Sequence, residues 1–172
     1  MGVERSRGAR FEDLYRRHAA AVAAYALRRV PRETAEDVVA ETFLVAWRRL
    51  DDVPEPALPW LFGVARRTLA NSRRSSRRRD ILAERLRIDL GDVPVVPVER
   101  GLLDALQTLS VGDRELLLLT AWEGLSTGEA AAALGCSAVA CRIRLHRARK
   151  RLAAALDSSL PRPVELQARE AS

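Results

Sequence analysis

The 172-residue sequence predicts an all-α protein: two small helical domains joined by a flexible linker, the C-terminal one a helix-turn-helix. Three observations lead there. Apolar residues recur at three- and four-residue spacing along nearly the whole chain, with no strand-like alternation. Residues 89–98, DLGDVPVVPV, hold two prolines, a glycine and no helical period, and read as an extended linker. The stretch from Leu125 to Leu152, LSTGEAAAALGCSAVACRIRLHRARKRL, sets a short helix, a glycine and a basic helix in succession.

After an N-terminal tail (1–9), Phe11, Leu14, Tyr15, His18, Val22 and Tyr25 fall on one face of a first helix, which Pro31 stops. Thr34-Ala-Glu-Asp37 resembles a capping box and opens a second, through Val38, Phe43, Trp47 and Leu50. Asp51–Pro59, with three prolines, reads as a loop. A third helix starts near Trp60, and between Arg66 and Arg79 it carries seven arginines and no acid. After the linker, Leu102, Leu103, Leu106 and Leu109 form a short amphipathic helix. Ser110-Val-Gly-Asp113 caps the next, which ends at Gly124, and Ser126-Thr-Gly-Glu129 is a capping box for another. PRPVELQAREAS closes the chain as a frayed tail.

The helix-turn-helix carries the chemistry. Ala131, four residues before Gly135, lets two helices approach, Gly135 permits a sharp turn, and Ser137 can cap the second helix. That helix should turn Cys141, Leu145, Ala148, Leu152 and Leu156 inward. Arg142, Arg144, His146, Arg147, Arg149, Lys150 and Arg151 take the rest of its circumference, with no acid from Ser137 to Leu156. A merely solvated face usually mixes signs, so the pattern favours DNA, whose phosphates reward dense positive charge. Ile143 breaks the polar face. Contact with a thymine methyl and an isolated exposed apolar residue are both open readings. Cys136 and Cys141 both fall at inward positions of the motif and read as core. His146 reads as phosphate-facing or solvated, His18 as core or rim.

The composition agrees. Net charge is +6 and the pI about 10.5. Of 29 basic residues only Lys150 is a lysine. Arginine's planar fork suits phosphate and guanine, although a GC-rich genome accounts for the ratio equally well. No apolar run approaches the length of a membrane span, and MGVERSRGARFEDL lacks a signal peptide's apolar core, so a cytoplasmic protein without membrane insertion is expected. Two cysteines and two histidines make no disulfide framework and no metal-ligand set; neither metal nor cofactor is expected. No nucleophile-and-base cluster points to an enzyme, and the loop acids Asp51 and Asp52 read as solvated. Aromatics at 5% make base stacking on aromatic platforms a poor main mode, which disfavours an RNA-binding module. A conventional regulator needs a sensing domain in the first half, where the sequence instead has a second basic surface.

TAEDVVAETFLVAWRRL (Thr34–Leu50) followed by PWLFGVARRTLANSRR (Pro59–Arg74) resembles region 2 of the sigma-70 family, and the block from Leu102 to Leu152 resembles region 4. The absence of other regions resembles the extracytoplasmic-function (group four) sigma factors. The resemblance implies a non-catalytic promoter-specificity subunit with bacterial core RNA polymerase and promoter DNA as partners. An anti-sigma factor, common among relatives, is a further candidate partner. It implies region 2 over 10–86, a linker over 87–99, region 4 over 100–157 and a tail over 158–172. Polymerase binding maps to Asp37, Glu41 and Arg48 of the second helix. Reading and melting of the −10 element maps to Asp51, Asp52, Trp60, Arg66, Arg67, Asn71, Arg73 and Arg74, a flipped base lying in the loop at 51–58; Trp60 at a helix start also reads as core. The −35 element maps to Ser137, Ala138, Ala140, Arg142, Ile143, Arg144 and Arg147. Several positions depart from the family: Ala40 for glutamine, Arg67 for asparagine, Gly128 for an acid, and Ala140, Cys141 and Ile143 for threonine, valine and serine. The family's base contacts therefore do not transfer at Ala140 and Ile143.

Overall fold

A computed structural model describes residues 2–83 and 97–159, and all regular structure among them is helical, as the periodicity requires. In chain order the helices are α1 (Gly2–Leu27), α2 (Arg32–Arg48), a 3-10 turn at Leu50–Asp52, α3 (Leu58–Ala83), α4 (Pro97–Gln107), α5 (Val111–Ala121), α6 (Thr127–Leu134) and α7 (Ala138–Ser159). They divide into two compact units. One holds α1, α2 and α3 together with Glu129–Gly135; the other holds α4, α5 and α7.

In the first unit α1 packs on both α2 and α3. Leu14, Val22, Tyr25, Val38, Phe43, Leu61, Phe62 and Leu69 are buried, the inward positions that three- and four-residue spacing selects. The Tyr25 ring stacks on Phe62 at 4.9 Å between centroids. Arg29 lies 3.6 Å over the other end of this stack, above Tyr25, and donates to the Tyr25 carbonyl at 2.8 Å. At the far end Phe11 meets Phe43 and Trp47 edge-on, and Tyr15 meets Phe43 at 4.7 Å. Such pairs contribute beyond the area they bury.

Three expectations change here. Residues 2–9 are not a tail but the first turns of α1: Arg7 donates to the Trp47 carbonyl at 2.9 Å and lies over the Trp47 ring, tying them to α2. The second helix starts at Arg32, not at a Thr34 capping box. Pro31, with φ at −57°, is its N-cap without a side-chain bond, and its carbonyl accepts from Ala35. The third starts at Leu58, two residues before Trp60.

In the second unit α7 packs on α4 and α5. Ala105, Leu106, Leu109, Leu116, Leu117, Leu119, Cys141, Leu145 and Ala148 are buried. Leu102, expected inward, is 39% exposed, and Leu109 packs from beyond the end of α4. Pro97, expected in the linker, occupies the first position of α4, where its fixed φ suits a helix start; Val98 and Glu99 are helical with it. The linker at 87–96 and the tail from 160 lie outside the described residues. Ser110 caps α5 as expected, its Oγ accepting from the Asp113 amide at 3.1 Å. Arg114 closes the end of α4, donating to the Leu106 and Gln107 carbonyls at 2.8 and 3.1 Å. The helix before Gly124 ends at Ala121. Gly124 and Gly135 have φ of +69° and +71°, a left-handed geometry that favours glycine. Among the described residues no helix is long and apolar enough to cross a membrane.

Candidate nucleic-acid interface

The basic surface is built on α7. Ser137 caps it, its Oγ accepting from the Ala140 amide at 3.2 Å. The buried stripe Cys141–Leu145–Ala148 fixes which way the helix turns. Ser137, Ala138, Ala140, Arg142, Ile143 and Arg147 are therefore exposed, as are His146, Arg149, Lys150 and Arg151. Leu152 and Leu156 are half-buried.

Arg144 differs from the other predicted contacts. It is half-buried, and its Nε donates to Asp113 Oδ1 at 2.8 Å. Arg151 donates through a terminal guanidinium nitrogen to Asp113 Oδ2, also at 2.8 Å. The Asp113 side chain is only 7% exposed, so two arginines of α7 neutralise a buried carboxylate at the start of α5. The Arg144 hydrogen bond is the main cause that holds this carboxyl below its ordinary value. Gly112 leaves the room: a Cβ there would collide with the Arg144 guanidinium. Sequence reasoning took Asp113 as a capping-segment residue and missed this pairing, whose partners are 31 residues apart. The available signal was an acid in a helix first turn of a strongly basic unit.

Cys136 does not pack inward. It is exposed in the turn before Ser137, whereas Cys141 is buried as expected. Burial pushes the Cys141 thiol up, and the Cys136 thiol adds to the effect. His18 is half-buried, as a rim histidine should be; burial, aided by Arg17, lowers its pKa from 6.5. No group of three or more acids, cysteines or histidines suits a metal ion among the described residues.

In the first unit Asp37, Glu41 and Arg48 are exposed along one row of α2, at the spacing of successive helical turns. Leu44 stands in the same row, 41% exposed, and was not singled out from sequence. Beside this row a groove between α2 and α3 is lined by Glu41, Arg49, Arg67, Asn71 and Ser72. Two predicted DNA-facing residues thus share a groove with a predicted polymerase-facing one. Arg66 is half-buried instead, its guanidinium 3.5 Å from the Leu134 carbonyl. Trp60 is half-buried. Asp51 and Asp52 are exposed in the loop and ion-paired with Arg10 at 3.2 Å and Arg49 at 3.1 Å. Arg73 and Arg74 lie on α3, and their side chains are outside the described residues.

Family models match both halves: sigma-70 region 2 over residues 14–79 and sigma-70, region 4 over residues 99–152. The chain belongs to the sigma-70 family. This sigma factor is 36% identical over 163 residues to RNA polymerase sigma factor NccH of Alcaligenes xylosoxydans xylosoxydans, an alignment covering 87% of this chain and 88% of the relative. It is 34% identical over 160 residues to ECF RNA polymerase sigma factor SigL of Mycobacterium tuberculosis, covering 86% and 89%. Among solved structures it is similar to the sigma factor RpoE in complex with the anti-sigma factor NepR from Bartonella quintana, with a TM-score of 0.64, 25% identity and coverage of 87% and 98%. It is also similar to CnrH in complex with the cytosolic domain of CnrY, with a TM-score of 0.58, 34% identity and coverage of 87% and 89%. The protein is an extracytoplasmic-function sigma factor that serves promoter-specific transcription initiation, with core RNA polymerase and promoter DNA as partners. The family's role is regulatory rather than catalytic.

Proposed function

We propose a division of labour between the two halves of this sigma factor. Region 4, over about 100–157, reads the −35 element through Ser137, Ala138, Ala140, Arg142, Ile143 and Arg147. Arg144 supports that surface through Asp113. Region 2, over about 10–86, grips the polymerase through Asp37, Glu41 and Arg48. It reads and melts the −10 element along the loop at Asp51–Leu58 and through the α3 residues Arg67, Asn71, Arg73 and Arg74. Arg66 and Trp60, both half-buried, would offer DNA only the exposed part of each side chain. The chain has no reaction of its own and works in the cytoplasm, where the polymerase is. The similar solved sigma factors are held by anti-sigma partners, and a partner of that class fits this chain as well.

One observation carries the −35 assignment: the exposed face of α7 is basic and has no acid over Ser137–Leu156. Such a face gains affinity by releasing counterions from phosphates, with log K falling by about 0.9 per log unit of salt for each phosphate neutralised. Holoenzyme binding to promoter DNA, titrated across salt, tests it. Arg142→Ala with Arg147→Ala should flatten the salt dependence. An unchanged slope places the phosphate contacts elsewhere.

A further inference from the structure

Two aliphatic side chains stand on the basic face of α7. Val139 is 65% exposed and Ile143 50%. They are four residues apart, so they share a stripe and lie about 6 Å from each other along the axis. Both point about 160° away from the buried Cys141, at 100° per residue, and so project outward from the unit that α7 packs against. A single exposed aliphatic residue needs no explanation. Two in register, within the first two turns after the Ser137 cap, are a patch.

The surroundings choose the occupant. Arg142, His146 and Arg147 flank the stripe, exposed, and no acid follows within the helix until Asp157. Whatever meets Val139 and Ile143 must also accept dense positive charge, which an apolar protein surface does not. DNA offers both properties at once. Its phosphates flank the major groove, and within the groove the C5 methyl of thymine is the group that an aliphatic side chain can read. Ala138 and Ala140 beside the stripe are small and exposed, which lets the helix approach the base edges.

We propose that Val139 and Ile143 are specificity-determining residues that pack on thymine methyl groups, so that the upstream element of this sigma factor carries thymines about two base pairs apart, on either strand. The spacing follows from 6 Å of helix against about 3.4 Å per base pair. The proposal rests on α7 being the −35 helix. It adds that recognition there is partly apolar, through methyl groups, and not by arginine alone.

The test uses the full chain assembled with core RNA polymerase. Duplexes randomised in the upstream element are selected for retention by the holoenzyme. The enriched site is then synthesised twice, with thymidine or with deoxyuridine in that element only; the two differ by the methyl groups alone. Each lost methyl contact should weaken binding about fourfold, so two should weaken it about fifteenfold. The Val139→Ala, Ile143→Ala double variant, altered only at exposed positions, should bind both duplexes alike. Enriched sites without paired thymines, or equal binding of the two duplexes by the unaltered protein, would overturn the proposal while leaving the −35 assignment intact. A variant that loses polymerase yet keeps the methyl discrimination would mark the stripe as a protein-docking surface, and also overturns it. If holoenzyme forms but no upstream sequence is enriched, the −35 assignment itself fails and takes the proposal with it.

Discussion

Arg144 on α7 donates through Nε to Asp113 Oδ1 on α5 at 2.8 Å, and the carboxylate that receives it is almost wholly buried. The bond joins the basic helix to the helix that carries much of its apolar support. Arg144 is thereby held in a fixed pose beside the exposed arginines, a structural member of the surface more than a free contact. Replacing it by alanine leaves the Asp113 carboxylate with Arg151 and the Ser110 hydroxyl. A hydrogen bond to a charged group contributes about 1.5–3 kcal/mol. Because the Arg144 side chain is 43% exposed, solvent screening brings the expected loss down to about 1–2 kcal/mol. Urea denaturation measures it, and Arg149→Ala, on the open face, should change stability by under about 0.5 kcal/mol.

Gly112→Ala should act through the same bond. The new Cβ meets a terminal nitrogen of the Arg144 guanidinium, which must shift and so disturb the Nε bond to Asp113. Alanine within a helix recovers up to about 1 kcal/mol, so the net loss should be smaller than that of Arg144→Ala, and the substitution should cost nothing further once Arg144 is already alanine. Full additivity in a double-mutant cycle would show that the glycine serves another purpose.

Acid should release the same clamp. The folded state holds the Asp113 carboxyl below its ordinary value of 3.8, chiefly through Arg144. A group with a depressed folded pKa stabilises the protein above its unfolded pKa, and that stability is lost as pH falls through the folded value. The unaltered protein should therefore lose melting temperature below about pH 4 more steeply than Asp113→Asn, while the variant is the less stable of the two at pH 7. Parallel melting curves from pH 7 to pH 3 would remove Asp113 from the acid response.

The helical skeleton was legible because burial follows local spacing. Leu14, Val22 and Tyr25, and later Cys141, Leu145 and Ala148, lie inside as their intervals require, whereas Tyr15 and Trp47, expected on the same inward faces, are exposed. The exposed residues of α7 follow from the same stripe by exclusion. What spacing could not supply were relations between distant segments. Arg7, in the first turns of α1, reaches the Trp47 carbonyl 40 residues away. Asp113 pairs with Arg144 across a gap of 31. Cys136 departs for another reason: it sits in the turn ahead of the Ser137 cap, before α7 begins, so the inward register of that helix does not reach it. The Thr34 capping signature yields to Pro31, whose ring already fixes the backbone at the helix start.

The groove between α2 and α3 suggests how the two tasks of region 2 can be separated. Glu41 lines it from one side, Arg67 and Asn71 from another. Arg67→Ala and Asn71→Ala should leave polymerase binding unchanged and slow open-complex formation, read as a lower rate of single-strand exposure at the −10 element. Equal loss of polymerase affinity would merge the two surfaces into one.

Size-exclusion co-elution with bacterial core RNA polymerase lacking sigma, at moderate salt, tests the division of labour most directly. The unaltered chain should leave the column as a stoichiometric complex, and so should Arg142→Ala with Arg147→Ala. Asp37→Arg with Glu41→Arg, altered only at exposed positions of α2, should run alone while its circular dichroism stays that of the folded helical protein. Undiminished co-elution of that second variant would contradict the assignment of the α2 face to the polymerase.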